Sequence, residues 1–171
     1  MTAKRILRTM IILVVLITTI GCDQVSKNII RRKLSDSETL TFMHDRLTIR
    51  KVENTGAFLS AGSSLPEPIK TILLTGLPVV VLTLALLYLF TQRNITRLSV
   101  VGICFVVGGG VGNIFDRVMY GSVTDFMHID FVVFETGIFN MADVSIMTGM
   151  AVILFEIFYQ RAKHGYQKAD A

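Results

Sequence analysis

The chain reads as an α-helical polytopic membrane protein, four transmembrane helices carrying a small extracytoplasmic β platform. Three observations predict this. The 171 residues are 51% apolar and only 18% charged, against about 25% charged in an ordinary soluble domain. The apolar residues gather in four long blocks. Between the first two blocks a short stretch alternates apolar and polar residues, as half-buried strands do.

The first block runs from about Thr9 toward Lys27. It reaches the roughly 20 residues a span needs only if Cys22-Asp23-Gln24-Val25-Ser26-Lys27 continues the helix. Lys4, Arg5 and Arg8, then an apolar run ending at Gly21-Cys22, also resemble a cleavable signal with a lipid-modified cysteine. Thr19, however, stands where an apolar residue is expected, and Asp23 and Lys27 are spaced to pair on one helical face. An uncleaved helix over about 9–29 is therefore expected. The other blocks predict helices over about 68–90, 97–116 and 139–160.

The platform lies between the first two helices, over about 39–60. Leu40 and Phe42, then Leu47, Ile49 and Val52, alternate with polar residues about a turn at His44-Asp45-Arg46. Gly56, Gly62-Ser63-Ser64, Pro66 and Pro68 break the pattern before the second helix. So small a sheet has no core of its own and is expected to lie on the membrane surface. An even number of spans puts both termini on one side. Basic residues at Lys4, Arg5, Arg8, Arg93, Arg97, Arg161, Lys163 and Lys168 make that side cytoplasmic. The segment Lys27–Lys70 is as basic on the opposite side, but short loops and the flanks of the first span weigh most. The 116–138 loop, with Asp116, Asp125, Asp130 and Glu135 against Arg117, agrees.

Composition also excludes classes. The formal charge of +4 comes from residues flanking apolar blocks, where they meet headgroups, so no nucleic-acid partner is expected. Cys22 and Cys104 form no pair and, with His44, His128 and His164, no metal-ligand spacing; both read as buried thiols. No metal and no cofactor is expected. Gly108-Gly109-Gly110-Val111-Gly112-Asn113 lacks the final glycine and the Lys-Ser/Thr of phosphate loops. It reads instead as a flat helix face for close backbone approach.

The candidate site is acidic. Asp125, in Gly121-Ser122-Val123-Thr124-Asp125-Phe126, and Asp143, in Phe139-Asn140-Met141-Ala142-Asp143, flank the start of the last apolar block. Carboxylates at the edge of a span are costly, which makes them functional candidates. Asp143 alone suits a helix cap, and Asp125 alone a loop acid. Together in a partly dry site they cannot both ionise freely, so one holds a proton and the pair suits water activation. No serine has a matched His or Lys. Asn113, Asp116 and Arg117 suggest an orienting polar cluster, or an interfacial cap with Arg117 reaching headgroups. Asn54 and Gly56 read as a turn.

Asp23-Gln24-Val25-Ser26-Lys27, Asn54-Thr55-Gly56-Ala57-Phe58, the stretch from Gly108 to Arg117, Gly121 to Phe126 and Phe139 to Asp143 resemble, in order and spacing, the motifs of the lipoprotein signal peptidase (signal peptidase II) family. The resemblance implies one membrane-embedded peptidase domain over 1–171, in a bacterial inner membrane with its site near the outer face. It implies an aspartic endopeptidase that acts as a monomer on diacylated prolipoproteins, with membrane lipid around it. Cleavage would fall immediately before the lipidated cysteine. Asp125 and Asp143 match the catalytic dyad. Asp23, Lys27, Asn54, Gly56, Asn113, Asp116, Arg117 and Asn140 match supporting positions, and Thr39–Phe58 matches a β-cradle that helps clamp substrate. The glycine face is expected to admit the substrate helix. The alternatives are a small transporter using Asp23, Lys27 and Asp125, or a non-enzymatic membrane-assembly factor anchored through Cys22.

Overall fold

The computed structural model describes residues 3–57, 62, 64–92 and 94–169. Residues 58–60 at the end of the expected β segment, Ser63 of the break and Arg93 of the basic loop lie outside the described residues. Among the described residues four helices are long and apolar enough to cross a membrane, so the chain is a multi-pass membrane protein. The first, α1 (Ala3–Lys33), runs well past the expected boundary, with Asp23 and Lys27 inside it. The second, α2 (Glu67–Thr91), contains a π-helical stretch at Ile72–Gly76. The third, α3 (Arg97–Tyr120), starts at Thr96, whose side chain accepts from Ser99 N. The last, α4, spans Met141–Ala169.

The helices meet with apolar side chains at one end and polar ones at the other. Ile12, Leu89, Val100 and Cys104 form the apolar cluster where α1, α2 and α3 join. There Arg8 donates to the Leu89 carbonyl at 2.5 Å, satisfying a carbonyl that the end of α2 leaves open. Cys104 is buried as expected, but Cys22 is exposed. The inward face of α1 carries Ile12, Thr19, Asp23 and Lys27, and Cys22 turns away from it.

The glycines of α3 are consumed by the chain's own helices. A Cβ at Gly108 would strike Thr19 of α1 at 2.8 Å, and one at Gly110 would strike Leu82 of α2 at 2.6 Å. One at Gly109 would collide with the Ala142 carbonyl of α4, and one at Gly112 with the Asp23 carboxylate. The expected entry of a substrate helix on this face is therefore corrected: the face is filled, and its glycines let α1, α2 and α4 close on α3.

Strands β1 (Thr39–Phe42) and β2 (Leu47–Asn54) pair antiparallel about the expected turn, with Leu40 opposite Ile49. A third strand, β3 (Val123–Ile129), pairs with β2 and makes the order β1-β2-β3. It corrects the expected 116–138 loop. Asp116 and Arg117 belong to the last turns of α3, which ends on Gly121 at φ 75°. Gly121 takes the left-handed conformation at little steric cost and turns the chain so that Asp125 lies on a strand. β3 escapes pattern reading because both its faces are covered at Val123–Phe126, so it lacks the alternation of a half-buried strand.

Candidate active site

The site forms where the end of α3, β3, the end of β2 and the start of α4 converge. Asn54, Ala57, Asn113, Arg117, Val123, Asp125, Ile138, Asn140, Asp143, Ile146 and Met147 line a cleft of about 350 Å³. Asp125 reaches it because the β2–β3 register shifts by one residue between Ile49 and Val52, placing Val52 opposite Asp125 and Asn54 opposite Val123. Asp143 reaches it as the third residue of α4.

Asp143 is also a helix cap, so both readings of it hold. Its Oδ2 accepts from Asn140 N at 3.1 Å, while Asn140 Oδ1 accepts from Asp143 N at 3.0 Å. This reciprocal box satisfies donors that the helix start leaves open. It corrects the expected start at Phe139: Asn140 caps the helix, and Phe139 bridges to Met127. Asp143 Oδ1 stays available for the cleft, where it accepts from Asn113 Nδ2 at 2.9 Å.

Three asparagines aim amide groups at the two carboxylates, and each is held in orientation by a group that can only donate. Lys27 Nζ donates to Asn113 Oδ1 at 2.9 Å, which leaves the Asn113 NH₂ for Asp143. Gly56 N donates to Asn54 Oδ1 at 2.9 Å, and Asn54 Nδ2 donates to Asp125 Oδ2 at 2.8 Å. Asp143 N holds Asn140 Oδ1, and Asn140 Nδ2 donates to Asp125 Oδ1 at 2.6 Å and to Asn113 Oδ1 at 3.2 Å. Asn113 and Asn140 thereby link the two carboxylates through one chain of hydrogen bonds. An amide suits these positions because it can accept from one side and donate to the other.

Behind the cleft lies a buried ionic layer. Lys27 meets Asp23 at 2.8 Å and Asp116 at 3.1 Å, and all three side chains are sealed from solvent. With Asn113 as third acceptor, each ammonium proton has a partner. Asp23 Oδ1 accepts from Ala142 N at 2.9 Å, so α1 also fastens the first turn of α4. Arg117 donates to the Gly56 carbonyl at 2.9 Å and to the Asn113 carbonyl at 3.5 Å. It is therefore turned into the cleft, and the alternative of an arginine reaching headgroups is set aside. Among the described residues no group of three His, Cys, Asp or Glu could hold a metal ion.

Burial pushes the Asp125 carboxyl up to about 6; Asp143 adds to the rise, while the Asn54 and Asn140 amides hold it down. A carboxyl removed from water favours its neutral form, and a nearby like charge favours it further. At near-neutral pH this pair can thus carry one proton and one negative charge together.

Every sequence-predicted site residue falls in this assembly. Asn54, Asn113, Arg117, Asp125, Asn140 and Asp143 line the cleft, while Gly56, Asp23, Lys27 and Asp116 stand behind it. Sequence reading missed Gln24, Arg31, Glu53, Ser122 and Thr124 as members. Gln24 donates to Asp23 and Asp116 at 3.0 and 3.1 Å, and Arg31 meets Asp116 at 2.8 Å. The four-residue spacing Asp23, Lys27, Arg31 was the available signal for Arg31, since it places all three on one helical face.

Comparison with known proteins is in keeping with this architecture. Residues 13–159 match the family model described as signal peptidase (SPase) II. The chain is 31% identical to the lipoprotein signal peptidase of Pelodictyon phaeoclathratiforme, over 86% of this chain and 88% of that protein. It is 31% identical to the lipoprotein signal peptidase of Streptococcus pneumoniae, over 84% of this chain and 90% of that protein. A solved structure described as a bacterial membrane enzyme shares the fold with a TM-score of 0.79 at 22% identity, covering 89% of this chain and 90% of that one. With the match running through all four spans and the sheet between them, the chain belongs to the signal peptidase II family and is a membrane protease.

Proposed function

We propose that this protease is an aspartic endopeptidase that cleaves lipoprotein signal peptides, with Asp125 and Asp143 as its catalytic dyad. The observation that carries the assignment is the pairing of these two carboxylates across one cleft, each fed by oriented asparagine amides. Asp125, whose burial favours the proton, is the resting acid, and Asp143 is the base. Asp143 takes a proton from a water lying between them as that water attacks the scissile carbonyl carbon. Asp125 gives its proton to the carbonyl oxygen, so a gem-diol forms without free charge on the substrate. The proton on Asp143 then passes to the amide nitrogen as the C–N bond breaks, and Asp125 recovers its proton from the collapsing diol. The oriented amides keep both carboxylates aimed throughout, so little reorganisation is needed at the transition state.

The substrate is a prolipoprotein carrying diacylglycerol on the cysteine after the cleaved bond. Its acyl chains stay in lipid while the bond enters a cleft lined by apolar Ile138, Ile146 and Met147 together with polar groups. Placement in a bacterial inner membrane is part of this reading, and the basic flanks of the spans orient the chain in it. The ends carrying Arg5, Arg8 and Arg161 are cytoplasmic, so the cleft, at the opposite helix ends, lies near the outer face. The reading includes action as a monomer.

Cleavage of a diacylated lipobox peptide by the purified protein tests the assignment. Asp125→Asn and Asp143→Asn are each expected to lower kcat by about 10³-fold or more, the scale of losing an acid–base group together with its partner's function. Folding and membrane insertion should persist. Turnover within tenfold of wild type in either variant removes that residue from the dyad.

A further inference from the structure

One polar network outside the dyad is built from residues adjacent in sequence to the catalytic ones. Glu53 precedes Asn54, and Thr124 precedes Asp125; Glu53 and Thr124 face each other across the β2–β3 ladder. Thr124 Oγ1 donates to Glu53 Oε1 at 2.9 Å and accepts from Arg31 Nε at 2.8 Å. Its direction is forced, because a guanidinium can only donate, an ionised carboxylate can only accept, and the hydroxyl has one proton. The other Glu53 oxygen accepts from Ser122 Oγ at 2.5 Å. Arg31 is itself fixed, 4.0 Å over the Tyr120 ring and 2.8 Å from Asp116. Thr124 N donates to Asp116 Oδ2 at 3.3 Å, and Thr124 is fully buried.

We infer that Arg31, Thr124 and Glu53 form a one-directional clasp that sets where β3 holds Asp125 against α1 and α3, making Thr124 and Glu53 positioning residues for the dyad. The inference rests on the assignment of Asp125 as catalytic. On alternate faces of β3, Asp125 points into the cleft while Thr124 points back at the helices, so a shift of Thr124 moves its neighbour. Glu53 acts from β2 on the strand segment that presents Asn54, the amide donor to Asp125.

Thr124→Val, Thr124→Ser, Glu53→Gln and the Thr124→Val/Glu53→Gln pair are assayed on the diacylated lipobox peptide, with Asp125→Asn alongside. Thr124→Val keeps the shape and removes the hydroxyl. It is expected to lower kcat about 10- to 100-fold with KM within about twofold, the loss expected from slight misplacement of a reacting group. Thr124→Ser should recover most of the rate. Glu53→Gln, at an exposed position that does not threaten folding, should lower kcat about fivefold or more. Because both residues act through one clasp, the double variant should fall well short of the product of the single losses. Wild-type kcat in Thr124→Val or Glu53→Gln, multiplicative losses in the pair, or no recovery by Thr124→Ser overturns the clasp. If Asp125→Asn is inactive in that same set, only the clasp has failed. If Asp125→Asn remains active, the dyad has failed and the clasp falls with it.

Discussion

At the scale of the residue, the site works because its asparagines are asymmetric. Asn54 accepts a hydrogen bond from Gly56 N on one side and donates one to Asp125 on the other; an aspartate there would set carboxylate against carboxylate. The same pinning gives the pH dependence a definite sign. In the proposed mechanism one carboxyl of the pair keeps its proton, so kcat/KM should fall as pH rises through the Asp125 value of about 6. Asn54→Ala removes a donor to the ionised form, which makes the proton harder to lose. A hydrogen bond to a charged group contributes about 1.5–3 kcal/mol, so the descending limb should move up by roughly one to two units. A pH profile of kcat/KM for both proteins checks this, and a limb that stays put or moves down contradicts it. Stability has the matching sign. The folded chain binds this proton more tightly than an unfolded chain with the ordinary value of 3.8. The contribution is therefore complete at and below that pH and is lost as pH rises through about 6.

At the scale of the element, the dyad depends on how closely α4 approaches α3. Gly109 lies under the Ala142 carbonyl, one residue from Asp143, and Gly112 lies under Asp23, which holds the Ala142 amide. Gly109→Ala forces the first turn of α4 outward and should destabilise by about 1–3 kcal/mol, the usual cost of overpacking. It should also lower kcat by shifting Asp143. Gly21→Ala on α1 is the contrast, since a Cβ there meets nothing within 4 Å. It should be neutral or stabilise by up to about 1 kcal/mol through helix propensity. Thermal unfolding in detergent distinguishes them, and a Gly109→Ala protein as stable and active as Gly21→Ala would contradict the packing argument. Here sequence and structure part company. The glycine run was legible as a surface for close approach, but which partner it meets depends on a fold that brings α1, α2 and α4 to it from three directions.

At the scale of the whole molecule, the four spans separate an apolar, arginine-fastened end from a polar one that carries the proposed dyad. Arg8 closes the first on the Leu89 carbonyl; Lys27, between Asp23 and Asp116, anchors the second. The proposed orientation puts the sheet outside. A cysteine replacing exposed Asp36 should react with a membrane-impermeant maleimide added to intact cells, and one replacing exposed Asn94 should react only after permeabilisation. The reverse pattern would invert the topology. The sequence by itself determined the four spans, because hydrocarbon demands about 20 apolar residues per helix and the Asp23–Lys27 spacing favours a continued first helix over a cleavable signal. It also singled out Asp125 and Asp143 as candidates, because a carboxylate at the edge of a span is costly. Only the tertiary structure decided that Asp125 lies on a strand, that Asp143 caps a helix and faces the cleft at once, and that Asn113 and Asn140 join them. Those facts depend on Gly121 turning β3 back onto β2 and on α1 and α4 closing over α3. These contacts join residues far apart in the chain, and local periodicity carries no record of them.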